Sequence, residues 1–448
     1  MERKIVSRIM VTLLVVSMLT LAFNIQLVKA EPYTWTVDDD GPADFSSIQE
    51  AINSANKGDI IFVHNGTYYE NVIVTKAVSL IGENKDNTLV DGNSTGNVIE
   101  VVANNVKITA FTIQNSGPEP HHQTGISLDY SSFNNISYNI IKNNHDGVQL
   151  FNSNNNVFAG NIITNNDDDG IWFGGSYNNN VLTHNNITHN HDGIVFLGSH
   201  NNNNVLTNNY VAHNNDMGLS LPASSNSTIT GNFVSDNRVG IWFGGSSNHL
   251  LTGNEVSDNR IGIDIGASNN NVLTGNNVSS NVEVGIAISL SSNNFLTGNN
   301  VMNNGHRPPV DNITMIQGTG IILSACENIT IYHNNFVNNA KQAYSSWSTV
   351  SWDYGGEGNY WSDYEGKDFD SDGIGDSPYV IPDEDSDRHP LMTPWTPTWR
   401  LTPLWMRWWF WIITAIGIVV ALVGAAYFFK KRKPPTPNAS TPPTEGTV

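Results

Sequence analysis

Three groups of side chains in this 448-residue chain have the types and spacing for ligand chemistry. A Gly followed by Ile, Val or Leu recurs at Gly125, Gly147, Gly170, Gly193, Gly218, Gly240, Gly262, Gly285 and Gly320. Two positions before it stand His145, Asp168, His191, Asp216, Arg238, Arg260 and Glu283, and directly before it stand Asp146, Asp169 and Asp192. If successive segments stack as adjacent strands, these residues come ~4.8 Å apart. Imidazole beside carboxylate is a donor set for Cu, Zn or Mn, so His145, Asp168, His191 and Asp216 form a candidate transition-metal group, with His184, His189 and His213 on the same middle segments. The alternative reading of this column is a solvated, charge-compensated edge.

Two positions after the Gly the residues are Gln149, Trp172, Val195, Ser220, Trp242, Asp264 and Ala287. Trp172 and Trp242 lie three segments apart, ~14 Å in a stacked array. Outward indoles offer flat apolar faces to sugar rings. With Asp168, Asp169 and Gln149 alongside, they define a candidate carbohydrate groove, the alternative being an indole packed against a neighbouring loop. The third group follows the repeats: Asp368, Asp370, Asp372 and Asp376, with the carbonyl of Ile374, fit the D-x-D-x-D-G-x-x-D start of a calcium loop, and Gly373 permits its sharp turn. Position twelve is Tyr379 rather than Glu, so Asp383, Glu384 or Asp385 is expected to complete the ligand set.

Signals for catalysis are sparse. Glycoside chemistry needs two carboxylates at a fixed separation, and no motif sets one among Asp146, Asp167, Asp168, Asp169 and Asp192. No nucleophilic Ser motif, H-E-x-x-H or P-loop occurs. The single Cys326 lies in an apolar strand, where a thiol is buried and inert, and one Cys rules out an internal disulfide framework.

The elements that carry these columns follow from a repeat. The pattern apolar-Thr-Gly-Asn-x-apolar-x-x-Asn has its first Asn at Asn139, Asn161, Asn185, Asn209, Asn232, Asn254, Asn276, Asn299 and Asn334, with gaps of 22, 24, 24, 23, 22, 22, 23 and 35. The long last gap is an insertion around His306-Arg307-Pro308-Pro309. After each anchor Gly the apolar residues alternate, as in Gly193-Ile194-Val195-Phe196, which is the period of a strand with one buried face. A unit of this length with alternating strands, Asn/Ser/Gly turns and no Leu-x-x-Leu-x-Leu frame is a coil of a parallel β-helix. Asn makes up 42 of the 170 positions from 131 to 300, and is expected to form amide ladders and, with Gly, to occupy positive-φ turn positions. Ser47 to Glu50 reads as a capping box opening a short helix over Ile48, Ala51, Ile52 and Ala55, which would cover the N-terminal end of the stack.

Charge and the chain ends set the context. A formal charge of −20 lacks the basic face that phosphate binding needs, which excludes nucleic acid as the partner. Residues 1–30 read as a secretory signal peptide, with Arg3, Lys4 and Arg8 before an apolar run and Val28-Lys29-Ala30 at the cleavage site. Trp408 to Phe429 is uncharged and long enough to span ~30 Å of hydrocarbon. Trp405, Trp408, Trp409 and Trp411 crowd one end of that span, while Lys430-Lys431-Arg432-Lys433 places the other end in the cytoplasm. The expected organisation is signal peptide 1–30, cap and first coils 31–115, β-helix repeats 116–343, aromatic and acidic cap 344–392, stalk 393–405, transmembrane helix 406–430 and cytoplasmic tail 431–448. The sequons at Asn65, Asn93, Asn135, Asn186, Asn226, Asn277, Asn312 and Asn328 all fall on the exported side, where glycosylation can occur.

The repeats, for example Asn270-Asn271-Val272-Leu273-Thr274-Gly275-Asn276-Asn277, resemble the right-handed parallel β-helix repeats of the NosD family, described as periplasmic copper-binding proteins. The segment Gly358-Asn359-Tyr360-Trp361-Ser362-Asp363-Tyr364, running through Asp370 to Tyr379 and ending at Pro390-Leu391-Met392, resembles the C-terminal part of archaeal NosD-like surface proteins. Asp44 to Ile52 with Gly66 to Val72 is similar to the N-terminal cap of pectin methylesterases. The catalytic Asp and Arg motifs of those enzymes are not found, nor is the Gly-His-Gly of polygalacturonases. The resemblance implies an all-β solenoid and copper as a family ligand. The residues and the resemblance together give a type I, single-pass surface protein whose β-helix ectodomain binds cell-surface polysaccharide or glycoprotein, with structural Ca²⁺. A copper-handling accessory protein and a polysaccharide lyase, hydrolase or epimerase are the alternatives.

Overall fold

Each repeat folds into three short strands, exemplified by Val157–Ala159, Ile162–Thr164 and Asp169–Gly174. The computed structural model describes residues 31–396, apart from 119–122, 176–177, 198–200, 306–317 and 384. The expected signal peptide 1–30, transmembrane helix 406–430, tail 431–448 and most of the expected stalk fall outside the described residues, as does Glu384. Among the described residues no helix is long and apolar enough to cross a membrane.

Equivalent strands of successive coils pair in parallel and generate sheets of 14, 13 and 12 strands, here called the first, second and third in their order along a coil. The result is a right-handed parallel β-helix, the hand that parallel crossovers adopt. Register holds from coil to coil: Ile194 pairs with Leu219, Leu219 with Ile241 and Ile241 with Ile263, and all four are fully buried. The centres of the first sheet (Leu182, Leu206, Ile229, Leu251) and second sheet (Ile187, Val211, Val234, Val256) form matching inner columns. A one-residue slip in any strand would expose its whole buried set, so the apolar alternation fixes the register.

The inside corners are held by Asn. Asn209 donates from its backbone N and its Nδ2 to Asn232 Oδ1, both at 3.0 Å, and Asn232 Nδ2 donates onward to Asn254 Oδ1 at 3.0 Å and back to the Leu206 carbonyl at 2.9 Å. The same pattern runs through Asn166, Asn190, Asn214, Asn237 and Asn259 at a second corner. The turn glycines Gly231, Gly253 and Gly275 have positive φ as expected, but the anchor glycines are Gly for another reason. Their φ is not positive; a Cβ on Gly170 would sit 2.6 Å from the Gly193 carbonyl oxygen and 2.7 Å from Ile187 Cγ2. Close approach of the next coil, rather than a turn conformation, requires Gly there, whereas Asn, His and Asp take the positive-φ corner positions such as Asn165, His189 and Asp236.

The solenoid extends beyond the regular repeat at both ends. Thr34–Val37, Gly66–Tyr69 and Thr88–Asp91 are already rungs of the first and second sheets. The helix α1 (Ile48–Ser54) buries Ile48, Ala51 and Ile52, and Ser47 accepts from Glu50 N. The anion at its N-terminus is supplied by Glu70, whose carboxylate accepts from Ser47 Oγ, Ile48 N and Gln49 N at 2.9, 2.9 and 3.0 Å. At the other end Lys341–Ser346, Val350–Ser351 and Tyr360–Trp361 are still rungs, so the coils continue past residue 343. Trp361 then stacks between Phe336 (4.4 Å) and Tyr379 (4.3 Å) and closes the core. Asp387, fully buried, terminates the Asn ladder: it accepts from Asn359 N at 2.7 Å, Trp361 Nε1 at 2.8 Å and His389 N at 3.1 Å.

One ladder is interrupted, at Ser227 and His249. His249 N donates to Asn271 Oδ1 at 2.8 Å, while its Nδ1 accepts from Ser227 N at 3.1 Å and its ring lies 4.8 Å from Phe243. Burial pushes the imidazole down to about 4. The unfolded chain, with an ordinary His value of ~6.5, therefore binds more protons between pH 6.5 and 4, and stability must fall as pH drops through that window. The expected loss is about 3 kcal/mol by pH 4. His249→Asn, which restores a neutral amide, should flatten that part of the stability profile, read as urea midpoints at pH 7, 5 and 4.

Candidate functional site

The outer face of the third sheet carries the columns that alternation assigns to it. Gln149 pairs with Trp172, Trp172 with Val195, Ser220 with Trp242 and Trp242 with Asp264. Neither indole stands away from the sheet. A Cβ on Gly174 would fall 1.7 Å from Trp172 Cη2, and one on Gly244 would fall 2.6 Å from Trp242 Cζ2. Each ring thus lies flat along its strand over the Gly two residues on, which only the missing side chain permits.

This posture places the Trp172 ring in the next outward column. Gly174 pairs with Leu197, and Phe151 precedes Gly174 there because Leu150 pairs with Phe173. Tyr130 meets Phe151 edge-on at 5.6 Å. Tyr130, Phe151 and Leu197 are 67%, 42% and 47% exposed, so with Trp172 they make a continuous apolar strip across adjacent coils. Sequence reasoning missed Tyr130, Phe151 and Leu197. For Phe151 and Leu197 the available signal was the position four after the anchor Gly, which alternation also turns outward; Tyr130 stands five after Gly125, outside that column. Trp242 stands apart from this strip: Val195 and Ser220, both buried, separate it from Trp172.

Parallel to the strip, one strand edge over, runs the acidic column. Asp146 Oδ1 accepts from Asp169 N at 3.1 Å and Asp192 Oδ1 accepts from Met217 N at 2.6 Å, so each fixes the following coil. Asp169 is 7% exposed, and among the described residues its carboxylate has neither a hydrogen bond nor an ion pair. Burial, reinforced by Asp168, Asp146 and Asp192, pushes it up to about 9, so it is protonated at neutral pH. Burial also raises Asp192 and Asp264.

Of the candidate transition-metal group, His145 and Asp168 come together with Asp146, their donor atoms all within 4.8 Å of one another, and His145 and Asp146 are buried. His191 Nδ1 lies 3.9 Å from Asp168 and 3.8 Å from Asp192. Asp216 is engaged instead by Arg238 Nε, because the column changes from imidazole to guanidinium at that coil. His189 and His213, 5.5 Å apart, belong to the corner that follows the second sheet, and His184 to the corner before it. In the third group, Asp368, Asp370 and Asp372 gather their oxygens within 4.8 Å, with Gly373 at φ 92°. The amides of Gly373 and Asp372 donate to Asp368 and hold its carboxyl below the usual range. Asp376 closes the loop on Phe369 N at 2.6 Å, and Gly375 N and the Gly373 carbonyl tie it to Pro390 and Met392.

Comparison with known proteins places these features in context. The model of a family described as periplasmic copper-binding protein (NosD) matches residues 50–227 and again 178–366, together well over half of the chain. A probable ABC transporter binding protein NosD of Stutzerimonas stutzeri is 45% identical over 71 residues, 15% of this chain and 16% of that protein. A probable pectinesterase/pectinesterase inhibitor 41 of Arabidopsis thaliana is 33% identical over 127 residues, 23% of this chain and 22% of that one. The chain thus spans about a fifth of the length of the curated relatives it matches. Among solved structures, the mannuronan C-5 epimerase AlgE6 A-module of Azotobacter vinelandii superposes with a TM-score of 0.56 at 15% identity, covering 68% of this chain and 94% of that one. A mannuronic-acid-specific polysaccharide family 6 lyase from human gut microbiota gives 0.54 at 11%, covering 70% and 82%. At such identities these likenesses show the fold alone.

The burial of Asp169 has a measurable sign. The folded state favours the protonated acid, whereas the unfolded chain ionises near 3.9, so stability falls as pH rises from ~4 towards 9. Asp169→Asn keeps the shape and removes the charge. It should raise the urea midpoint at pH 7 and change it little at pH 3.5, where the acid is mostly protonated in both folded and unfolded chains.

Proposed function

This chain belongs to the NosD family, and from that premise we propose that it is an extracytoplasmic β-helix that binds cell-surface polysaccharide or glycoprotein along the third sheet and is held to the membrane by its 406–430 segment. The observation that carries the binding reading is the strip of exposed Tyr130, Phe151 and Leu197 with the half-buried Trp172, beside the polar column of Gln149, Asp168 and Asp169. Flat rings held against a rigid sheet present apolar surface at little entropic cost, and the adjacent carboxyl and amide groups can accept or donate hydrogen bonds to sugar hydroxyls. Contiguous exposed apolar surface rimmed by polar groups marks a binding site on a soluble face.

A second reading keeps the copper of the family description. His145, Asp146 and Asp168 offer one imidazole and two carboxylates, which suits Cu(II), and the one Cys, Cys326, is buried against the Ile288 carbonyl. Those three residues, with His191 alongside, would hold the ion. A polysaccharide lyase, hydrolase or epimerase is the third reading, supported by the protonated Asp169 beside the carboxyls of Asp146, Asp168 and Asp192.

The 368–376 loop is in this reading a structural Ca²⁺ site fixing the C-terminal cap. Three carboxylates at alternate positions repel one another without a cation and converge around one with it. Affinity should be in the ~10⁻⁴ to 10⁻³ M range of extracellular modules. Chelation should lower the melting temperature, and Asp370→Ala with Asp372→Ala should abolish the difference between EDTA and millimolar Ca²⁺.

The carbohydrate reading is tested by screening the purified full-length chain against a glycan array and titrating the best ligand. Phe151→Ala combined with Trp172→Ala should weaken binding about 10-fold or more, equivalent to ~1.4 kcal/mol, while Trp242→Ala should leave it within twofold. Absence of any glycan ligand at millimolar concentration overturns the reading.

A further inference from the structure

The acidic column beside the aromatic strip is neutralised unevenly. Asp216 pairs with Arg238, and Glu283 with Arg260 at 2.9 Å. In the coils of Asp146, Asp169 and Asp192 the described residues place imidazoles but no Lys or Arg in ion-pair contact with the column. Asp146 and Asp192 each spend an oxygen on the backbone of the next coil. Asp169, between them in register, does not, although it is more than nine-tenths buried. A buried carboxyl without a partner is a standing cost, because desolvation is unfavourable for it and nothing compensates. This group opens the strand whose Gly174, five residues on and ~16 Å away at the strand rise, carries the Trp172 indole over it.

We propose that the carbohydrate bound at this face is a cationic one, a polymer of amino sugars with free protonated amines, whose ring faces rest on Phe151 and Trp172 and whose ammonium groups engage Asp169 and Asp168. This inference rests on the carbohydrate reading above and adds the charge of the ligand. An ammonium brings three donors and a positive charge, which offset the burial and the neighbouring carboxylates that hold Asp169 protonated in the free protein, so the acid gives up its proton as the amine docks. The ~16 Å separation lets one oligosaccharide lie along the strands with one sugar on the aromatic column and another, a few units on, at the carboxyls. Charge selects against the opposite class: a polyuronate would bring carboxylates against Asp146, Asp168, Asp169 and Asp192 on a chain whose formal charge is already −20.

The test is calorimetric titration of the full-length chain with four oligosaccharides of equal length: β-1,4-linked glucosamine, its N-acetylated counterpart, cello-oligosaccharide and oligomannuronate. The glucosamine oligomer should bind at least 10-fold more tightly than the N-acetylated and neutral forms, lose most of that advantage in 0.5 M NaCl, and be insensitive to EDTA. Oligomannuronate should not bind. Asp169→Asn should abolish the preference while leaving the weaker binding shared by the neutral sugars, with the circular dichroism spectrum unchanged. If that variant fails to fold, Asp168→Asn, on a half-exposed side chain, must reduce the preference at least threefold. Equal binding of glucosamine and neutral oligomers overturns this inference and leaves the carbohydrate reading standing. Binding of none of the sugars overturns both. A preference that disappears with EDTA overturns the ammonium assignment in favour of a metal ion at the column.

Discussion

Every coil of this protein turns inside corners at which backbone N–H groups are buried in an apolar core, and the structure depends on giving each of them an acceptor. In the regular coils the acceptor at most corners is an Asn from the following coil, with Ser246, Ser268 and His249 standing in at others. The Oδ1 of that Asn receives both the backbone N–H and the side-chain amide of the Asn before it, and its own Nδ2 continues the chain, as at Asn209, Asn232 and Asn254. One residue type thereby satisfies the corner, sets the coil-to-coil distance and enforces the 22 to 24-residue period. Leaving a buried donor unmade would cost ~1–3 kcal/mol at each corner, and the columns repeat this through the regular coils.

A chain of aligned amides has ends, and both irregular regions of the protein can be understood through them. The donors at the C-terminal end meet an acceptor-only group, Asp387, at one corner and the side-chain Oε1 of Gln342 at another. The aromatic stack of Phe336, Trp361 and Tyr379 covers the last rung over the same corner. At the start, the helix α1 covers the first coils and is itself held by Glu70. Exposed strand edges of a long solenoid would otherwise pair with other chains.

Because the interior is fixed so tightly, variation is confined to outward columns, and there the protein departs from its own economy. Gly174 lets an indole lie flat between Phe151 and Leu197, and Asp169 sits buried without a partner among carboxylates. Neither feature serves the corner chemistry or the core. Local departures from an otherwise consistent fold are where function is expected to be found.

The sequence by itself determined the solenoid: the spacing of Asn139 through Asn334 gave the period, the alternation after each anchor Gly gave the register, and together they placed Gln149, Trp172 and Trp242 in one outward column and His145 beside Asp168. These were legible because in a parallel solenoid position within the repeat is position in space. The capping helix was legible too, from Ser47 and the spacing of its apolar residues. Only the tertiary structure decided the contacts between parts that the period does not relate. The first rungs at Thr34–Val37 and Thr88–Asp91 lack the repeat's spacing and are recognised by pairing alone. Glu70 at the helix start and Asp387 at the ladder's end are single residues outside the repeat. Side-chain posture, too, has no period: the indole of Trp172 folding over Gly174, Arg238 turning to Asp216, and the loss of water around Asp169 depend on the local volume left by neighbouring coils, which residue type and spacing do not encode.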